Sequence, residues 1–254
     1  MKHDIFSLKG KVALVTGGNR GIGKVVAEYM ADAGADIAIM DLDDASAVAA
    51  AIAAEYGVRA TARVCDVTRR EDVRAAMASI AGELGTLDIL FNNAGIVMHK
   101  PALELEPGEW EKVLGVNLNG VFYVAAEFAS RLVSEGKGGS IVNTASMSGS
   151  IVNIPQQQAS YNTSKAAVIH LTKSLAVEWA DKGIRVNCIS PGYIATELIS
   201  FVSPELLETW RGMIPFKRLG RPEELAGAVI YLASGASPYT SGCDIVIDGC
   251  FTVV

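Results

Sequence analysis

The chain runs to 254 residues, half of them hydrophobic and a fifth charged; this supplies one large core and excludes a disordered chain. A formal net charge of −6 without a basic patch excludes nucleic acid and anionic membrane surfaces as partners and leaves a small molecule. The opening MKHDIFSLKG has no apolar h-region, and no later run approaches the roughly 18 apolar residues of a membrane span, so a soluble cytoplasmic protein is expected. Cys65, Cys188, Cys243 and Cys250 form no CxxC pair, and His3, His99 and His170 lack ligand-like spacing, so neither a disulfide nor a metal site is expected.

In chain order, short runs rich in Val and Ile at 11–17, 36–41, 62–67, 87–95, 140–146, 184–192 and 244–249 read as buried strands. Helix-like stretches at 22–33, 44–56, 70–84, 109–134, 160–181 and 222–234 lie between most of them. Such alternation predicts right-handed βαβ units in one α/β domain over 1–254, with a doubly wound parallel sheet covered by helices on both faces. The interval 193–243 shows no clear strand, and its first part, about 193–222, reads as a substrate lid carrying Leu198, Phe201, Trp210 and Met213.

The first strand runs into TGGNRGIG, where Gly17, Gly21 and Gly23 permit a tight turn and a close approach of backbone to a pyrophosphate at the following helix N-terminus. The spacing is G-x-x-x-G-x-G. Eighteen residues beyond Gly23, Asp41 ends the second strand, where an acid takes the adenosine ribose hydroxyls and repels a 2′-phosphate. NAD(H) is therefore expected over NADP(H), although Arg20 in the glycine loop is a base that would greet such a phosphate. Asp66 in CDV stands where it would meet the adenine edge, Asn92 and Asn93 in NNAG where they would tie neighbouring strands together. Thr196 in PGYIAT offers a hydroxyl for a nicotinamide carboxamide.

YNTSK, residues 161 to 165, puts a phenol and an ammonium on one face of a helix, close enough for the cation to act on the hydroxyl. With Gly17-Gly21-Gly23, NNAG, Asn117, Ser146 and PGYIAT, this pair makes the chain resemble the short-chain dehydrogenase/reductase family over essentially its whole length. The resemblance implies a Rossmann-type fold with a seven-stranded parallel sheet, nicotinamide-dependent oxidoreduction between a secondary alcohol and a ketone, and a homotetramer. It implies that Tyr161 is the acid/base, that Lys165, helped by the positive charge of the oxidised nicotinamide, lowers its pKa and holds the nicotinamide ribose, and that Asn117 anchors a proton-relaying water. A free phenol titrates near 10, so work near neutrality needs a downward shift of about three units, roughly 4 kcal/mol. Along the cofactor the resemblance places Gly17, Asn19, Arg20, Gly21, Ile22, Gly23, Asp41, Leu42, Asp66, Val67, Asn93, Ala94, Gly95, Tyr161, Lys165, Pro191, Gly192, Ile194 and Thr196.

Fourteen residues separate Ser146 from Tyr161 where the family more often has twelve, a count that Ser148 would meet. Ser146 is preferred as the substrate-positioning hydroxyl because it lies three before Gly149, in the family's S-x-x-G pattern. The extra residues then fall in SIVNIPQQQAS, where the amides of Asn153 and Gln158 are able to bond substrate hydroxyls. That stretch, with the tail DGCFTVV, is similar to the sugar-alcohol branch of the family, the galactitol and arabinitol dehydrogenases and the xylulose and sorbose reductases. It implies a polyol or ketose, with steroids, cyclic ketones and 3-oxoacyl compounds as alternatives.

Overall fold

The computed structural model describes residues 4–197 and 202–254, so Leu198 and Phe201 of the expected lid lie outside the described residues. The elements alternate as β1 (Val12–Thr16), α1 (Gly21–Asp32), β2 (Asp36–Asp41), α2 (Ser46–Tyr56), β3 (Ala60–Val64), α3 (Arg70–Leu84), β4 (Ile89–Asn92), α4 (Pro107–Leu114), α5 (Val121–Ser134), β5 (Gly139–Thr144), α6 (Ala159–Glu178), β6 (Ile184–Pro191), α7 (Pro204–Met213), α8 (Glu223–Ala233) and β7 (Asp244–Ile247). The strands form one sheet in the order β3-β2-β1-β4-β5-β6-β7, every pair parallel.

Burial on both faces explains why the strands read as continuous apolar runs: every residue of β1 and of β4 is buried. Alternate side chains divide between two cores. Leu14, Met40, Leu90 and Ile141 meet Met77 and Ile80 of α3 and Val124 and Phe128 of α5. On the other face, Ala13, Val15, Ile39 and Phe91 meet Val26 and Met30 of α1 and Leu225 and Val229 of α8. The chain leaves β1 toward β2 on one side and reaches β4 on the other, so the sheet order reverses between β1 and β4. A crevice opens there at the carboxyl ends of the strands, the place where such sheets take ligands.

Several boundaries differ from the sequence reading. The helix expected over 109–134 starts at Pro107, behind a capping box of Glu106 and Glu109, and is interrupted by a π-helical turn at Gly115–Gly120. Taken whole, Pro107–Ser134 is long and apolar enough to cross a membrane by length and composition, contrary to the expectation, and half of that apolar window is buried inside the protein. β3 stops at Val64, because Cys65 and Val67 are buried from a loop rather than from a strand. The interval 193–243 holds no named strand among the described residues, as expected; besides the expected helix at 222–234, which is α8, it carries α7.

Candidate active site

The loop from β1 into α1 is shaped by what it cannot carry. Gly17 has φ +66, and a Cβ there would lie 3.0 Å from the Cα of Ala94; a Cβ on Gly23 would run into the carbonyl oxygen of Gly17. The first turn of α1 holds no acidic residue and no side-chain cap, so its amide groups are left for an anion. This bare cradle at the crevice fits the pyrophosphate of a dinucleotide. Asp41, half-buried, accepts the Asn19 N–H at 3.0 Å and the Asp43 N–H at 3.1 Å, which fixes its carboxylate beside the loop. Arg20 and Leu42 are exposed at the same edge, and Ile22 packs down onto the core.

Asp66 accepts from the Thr68 amide (2.9 Å) and hydroxyl (2.7 Å) through one oxygen, Oδ1. The side chain of Val67 is buried against Gly120, where a Cβ would stand 2.9 Å from it. The asparagines tie strands as expected: Asn92 Nδ2 donates to Asn143 Oδ1 (3.2 Å) and to the Val121 carbonyl (2.8 Å), and Thr16 Oγ1 donates to Asn92 Oδ1 (3.3 Å). Asn93 Nδ2 donates to the carbonyls of Thr16 and Gly17, so its side chain braces the glycine loop. Ala94 donates its N–H to Thr16 Oγ1. Across the crevice, Pro191 ends β6, Gly192 packs against Asp248, Ile194 bridges to Gly220, and a Cβ added at Gly21 would stand 3.7 Å from the Thr196 side chain.

β5 and α6 bring the chemistry together. Ser146 follows β5 and caps a 3-10 turn, its Oγ accepting the Ser148 N–H at 3.1 Å. Tyr161 and Lys165 lie on the first turns of α6. Lys165 is 3% exposed, donates from Nζ to the Thr144 carbonyl at 2.7 Å, and stands 5.7 Å from the centre of the Tyr161 ring. Burial pushes its pKa down to about 8. Gly95 leaves room above this group, a Cβ there falling 3.5 Å from Nζ.

In the chain alone, burial raises the pKa of Tyr161 by penalising the phenolate, and the hydrogen-bonding hydroxyl of Ser146 only partly opposes it. The ammonium of Lys165 points at the Thr144 carbonyl and lies over the ring, so it does not supply the expected shift in the chain alone. Asn117, fully buried in the π-helical turn, accepts the Ile96 N–H (2.8 Å) and donates to the Ile96 carbonyl (2.8 Å) and Ser164 Oγ (3.1 Å). Both of its amide protons are taken by the protein, and through them its side chain positions the 95–96 loop over α6.

Ser146 and Ser148 separate by neighbour. The former adjoins Tyr161, whereas the latter's Oγ accepts from Gln158 Nε2 at 3.3 Å. Asn153 and Gln158 are no solvated loop residues: they are 2% and 5% exposed and bonded to one another at 3.2 Å. The sequence reading missed their company. Tyr193 Oη accepts from Asn153 Nδ2 (3.2 Å) and Gln156 Nε2 (2.6 Å), and its ring stacks on Trp210 of α7 at 4.2 Å and meets Phe251 edge-on at 5.5 Å. His99 reaches Gln158 from the loop after β4. The signal for Tyr193 was its place, a phenol directly after the Pro-Gly turn of PGYIAT.

A family model described as enoyl-(acyl carrier protein) reductase matches residues 17–252. The chain is 48% identical over 252 residues to sorbose reductase SOU1 of Candida albicans, covering 98% of this chain and 89% of that protein. It is 43% identical over 254 residues to an NADP-dependent mannitol dehydrogenase of Hypocrea jecorina, covering 98% and 95%. The crystal structure of a short-chain type dehydrogenase/reductase from Mycobacterium marinum superimposes with a TM-score of 0.92 at 47% identity, covering 99% of this chain and 98% of that one. With such matches along nearly its whole length, around this sheet and this cradle, the chain belongs to the short-chain dehydrogenase/reductase family and is an oxidoreductase working with a nicotinamide dinucleotide.

Proposed function

We propose that the protein interconverts a secondary hydroxyl and a ketone on a polyol or ketose, with Tyr161 as acid/base and NAD(H) as the preferred cofactor. The observation that carries the chemistry is the buried ammonium of Lys165, 5.7 Å from a phenol that also adjoins the hydroxyl of Ser146. Gly17, Gly21 and Gly23 hold the pyrophosphate, and Asp41 takes the adenosine ribose hydroxyls. Lys165 holds the nicotinamide ribose. When bound, the nicotinamide exchanges a hydride with the substrate carbon, and its oxidised ring adds a positive charge near Tyr161.

In the oxidative direction the phenolate of Tyr161 takes the proton of the substrate hydroxyl while Ser146 donates to the same oxygen. In reduction the phenol returns that proton to the oxygen of the new alcohol. Burial raises the phenol pKa in the chain alone, so the added charge that would favour phenolate is that of the oxidised cofactor. Asn117 is a positioning residue that seats the loop above Lys165.

The polyol assignment draws on the names of the sorbose reductase and mannitol dehydrogenase relatives and on the buried amides of Asn153 and Gln158. Those amides hold the hydroxyls of Ser148 and Tyr193 in place, an arrangement that suits a hydroxylated substrate better than an apolar ketone. The assignment of NAD(H) draws on the fixed carboxylate of Asp41, although the mannitol dehydrogenase relative is named for NADP. Nicotinamide absorbance across C4 to C6 polyols and ketoses, with each cofactor in parallel, tests both assignments. Turnover confined to NADP(H) would overturn the cofactor preference, and silence on every sugar would overturn the substrate class. Tyr161→Phe is expected to cut kcat about a thousandfold while leaving cofactor affinity within about threefold; full turnover in that variant would remove Tyr161 from the chemistry.

A further inference from the structure

We propose that Tyr193 is a specificity-determining residue: its phenol O–H donates to a hydroxyl oxygen of the substrate, and through Gln156 and Trp210 that contact is tied to the seating of lid helix α7. The inference rests on the polyol reading and goes beyond it by naming the residue that senses a hydroxyl remote from the reacting carbon.

The indole N–H of Trp210 is a donor only, and it bonds Gln156 Oε1 at 3.2 Å. That fixes the amide, so Gln156 presents Nε2 to the Tyr193 oxygen at 2.6 Å. Gln158 Nε2 donates to Asn153 Oδ1 at 3.2 Å, which leaves Asn153 to present Nδ2 to the same phenol oxygen at 3.2 Å. Two donors therefore converge on a hydroxyl whose own proton meets no acceptor among the described residues. Burial raises the Tyr193 pKa, with Gln156 and Asn153 opposing it, so the group remains a donor through the neutral range. Its ring is clamped between Trp210, 4.2 Å away and nearly parallel at 13°, and Phe251.

Tyr193 also ends a continuous path of polar contacts. Ser146 Oγ, beside Tyr161, accepts the Ser148 N–H; Ser148 Oγ and Asn153 Oδ1 both accept from Gln158; Asn153 then donates to Tyr193. One end of this path is the reacting hydroxyl's neighbour and the other is the open donor. A substrate with a further hydroxyl pairs the Tyr193 proton, whereas one with a single oxygen leaves that proton unpaired once water is excluded. Trp210 belongs to α7 and nothing else polar in that helix reaches this cluster among the described residues, so the seating of the lid and the fixing of Tyr193 are one event.

The test uses the full chain with its nicotinamide cofactor. Tyr193→Phe keeps the ring stack and removes only the hydroxyl. The ratio of kcat/KM for the best C4 to C6 polyol to that for 2-hexanol is expected to fall about tenfold, chiefly through KM for the polyol, with cofactor affinity unchanged. Trp210→Phe, which keeps an aromatic ring but loses the N–H, is expected to raise polyol KM about threefold. An unchanged ratio in Tyr193→Phe, with wild type active on polyols, overturns the role of Tyr193 while the polyol reading stands. A wild type that turns over 2-hexanol and no polyol overturns both.

Discussion

The two halves of the candidate site are held by different means. On the cofactor side the shape comes from backbone: glycines at 17 and 23 where no Cβ fits, a bare first turn of α1, and the Asn93 amide bonded to main-chain carbonyls of the loop. On the substrate side it comes from side chains meeting side chains: Ser148, Asn153, Gln156, Gln158, Tyr193 and Trp210, from three separate segments. Backbone sterics admit almost no substitution, while a side-chain cluster can be retuned one group at a time. A frame of this kind binds one shared cofactor and leaves substrate choice to the cluster.

The sharpest break of that contrast is Gly23→Ala. A Cβ there enters the Gly17 carbonyl oxygen, which cannot move without reshaping the cradle. Loss of at least ~4 kcal/mol in cofactor binding, about a thousandfold, is expected by fluorescence titration. Retention of affinity within tenfold would show that the cradle is far softer than its geometry implies.

Lys165 stands at the boundary between the halves and gives the next effect. Its folded pKa of about 8 lies below the 10.5 of an ordinary lysine, so between these values the unfolded chain holds a proton that the folded chain lacks. The burial penalty is thus fully present below pH 8 and fades as pH rises toward 10.5. Lys165→Met removes this linkage. The difference in unfolding free energy, wild type minus variant, is expected to climb by about 3 kcal/mol across that window in denaturant titrations. A flat difference would mean that the buried ammonium is not strained by burial.

The smallest effect belongs to the substrate half. Gln158→Ala removes an amide nitrogen whose two protons are shared among Ser148 Oγ, Asn153 Oδ1 and Asn162 Oδ1. KM for a polyol is expected to rise about tenfold, with cofactor affinity unchanged. A matching loss of cofactor affinity would erase the distinction between the halves.

The same contrast explains what was legible in the sequence. Gly17, Gly21, Gly23 and Asp41 announce themselves because their constraint is local: a turn, a helix start, the end of a strand. The Tyr161 and Lys165 pair is equally local, four residues apart on α6. The strands were legible because both sheet faces are buried. Cys65 and Val67 misled the reading of β3, since apolar residues buried from a loop look like strand in sequence. The raised pKa of Tyr161 was not legible, because burial is a property of the whole fold. Nor was the Gln156, Tyr193 and Trp210 cluster, whose members lie 37 and 54 residues from Gln156 along the chain and meet only by packing.

The π-helical turn at Gly115–Gly120 carries one further consequence, about chain length. Each helical residue advances the direction of its side chain by about 100°, and a wide turn accommodates one residue more than a regular helix has room for. Deleting a single residue from GVNLNG would let α4 and α5 join as one uninterrupted helix, with both ends still packed. The residue left at position 117 would then point about a quarter-turn away from Ile96 and Ser164, and the loop above Lys165 would lose its anchor. A shortened segment could thus keep the fold and silence the site, so this stretch guards function by its count of residues as much as by their identity.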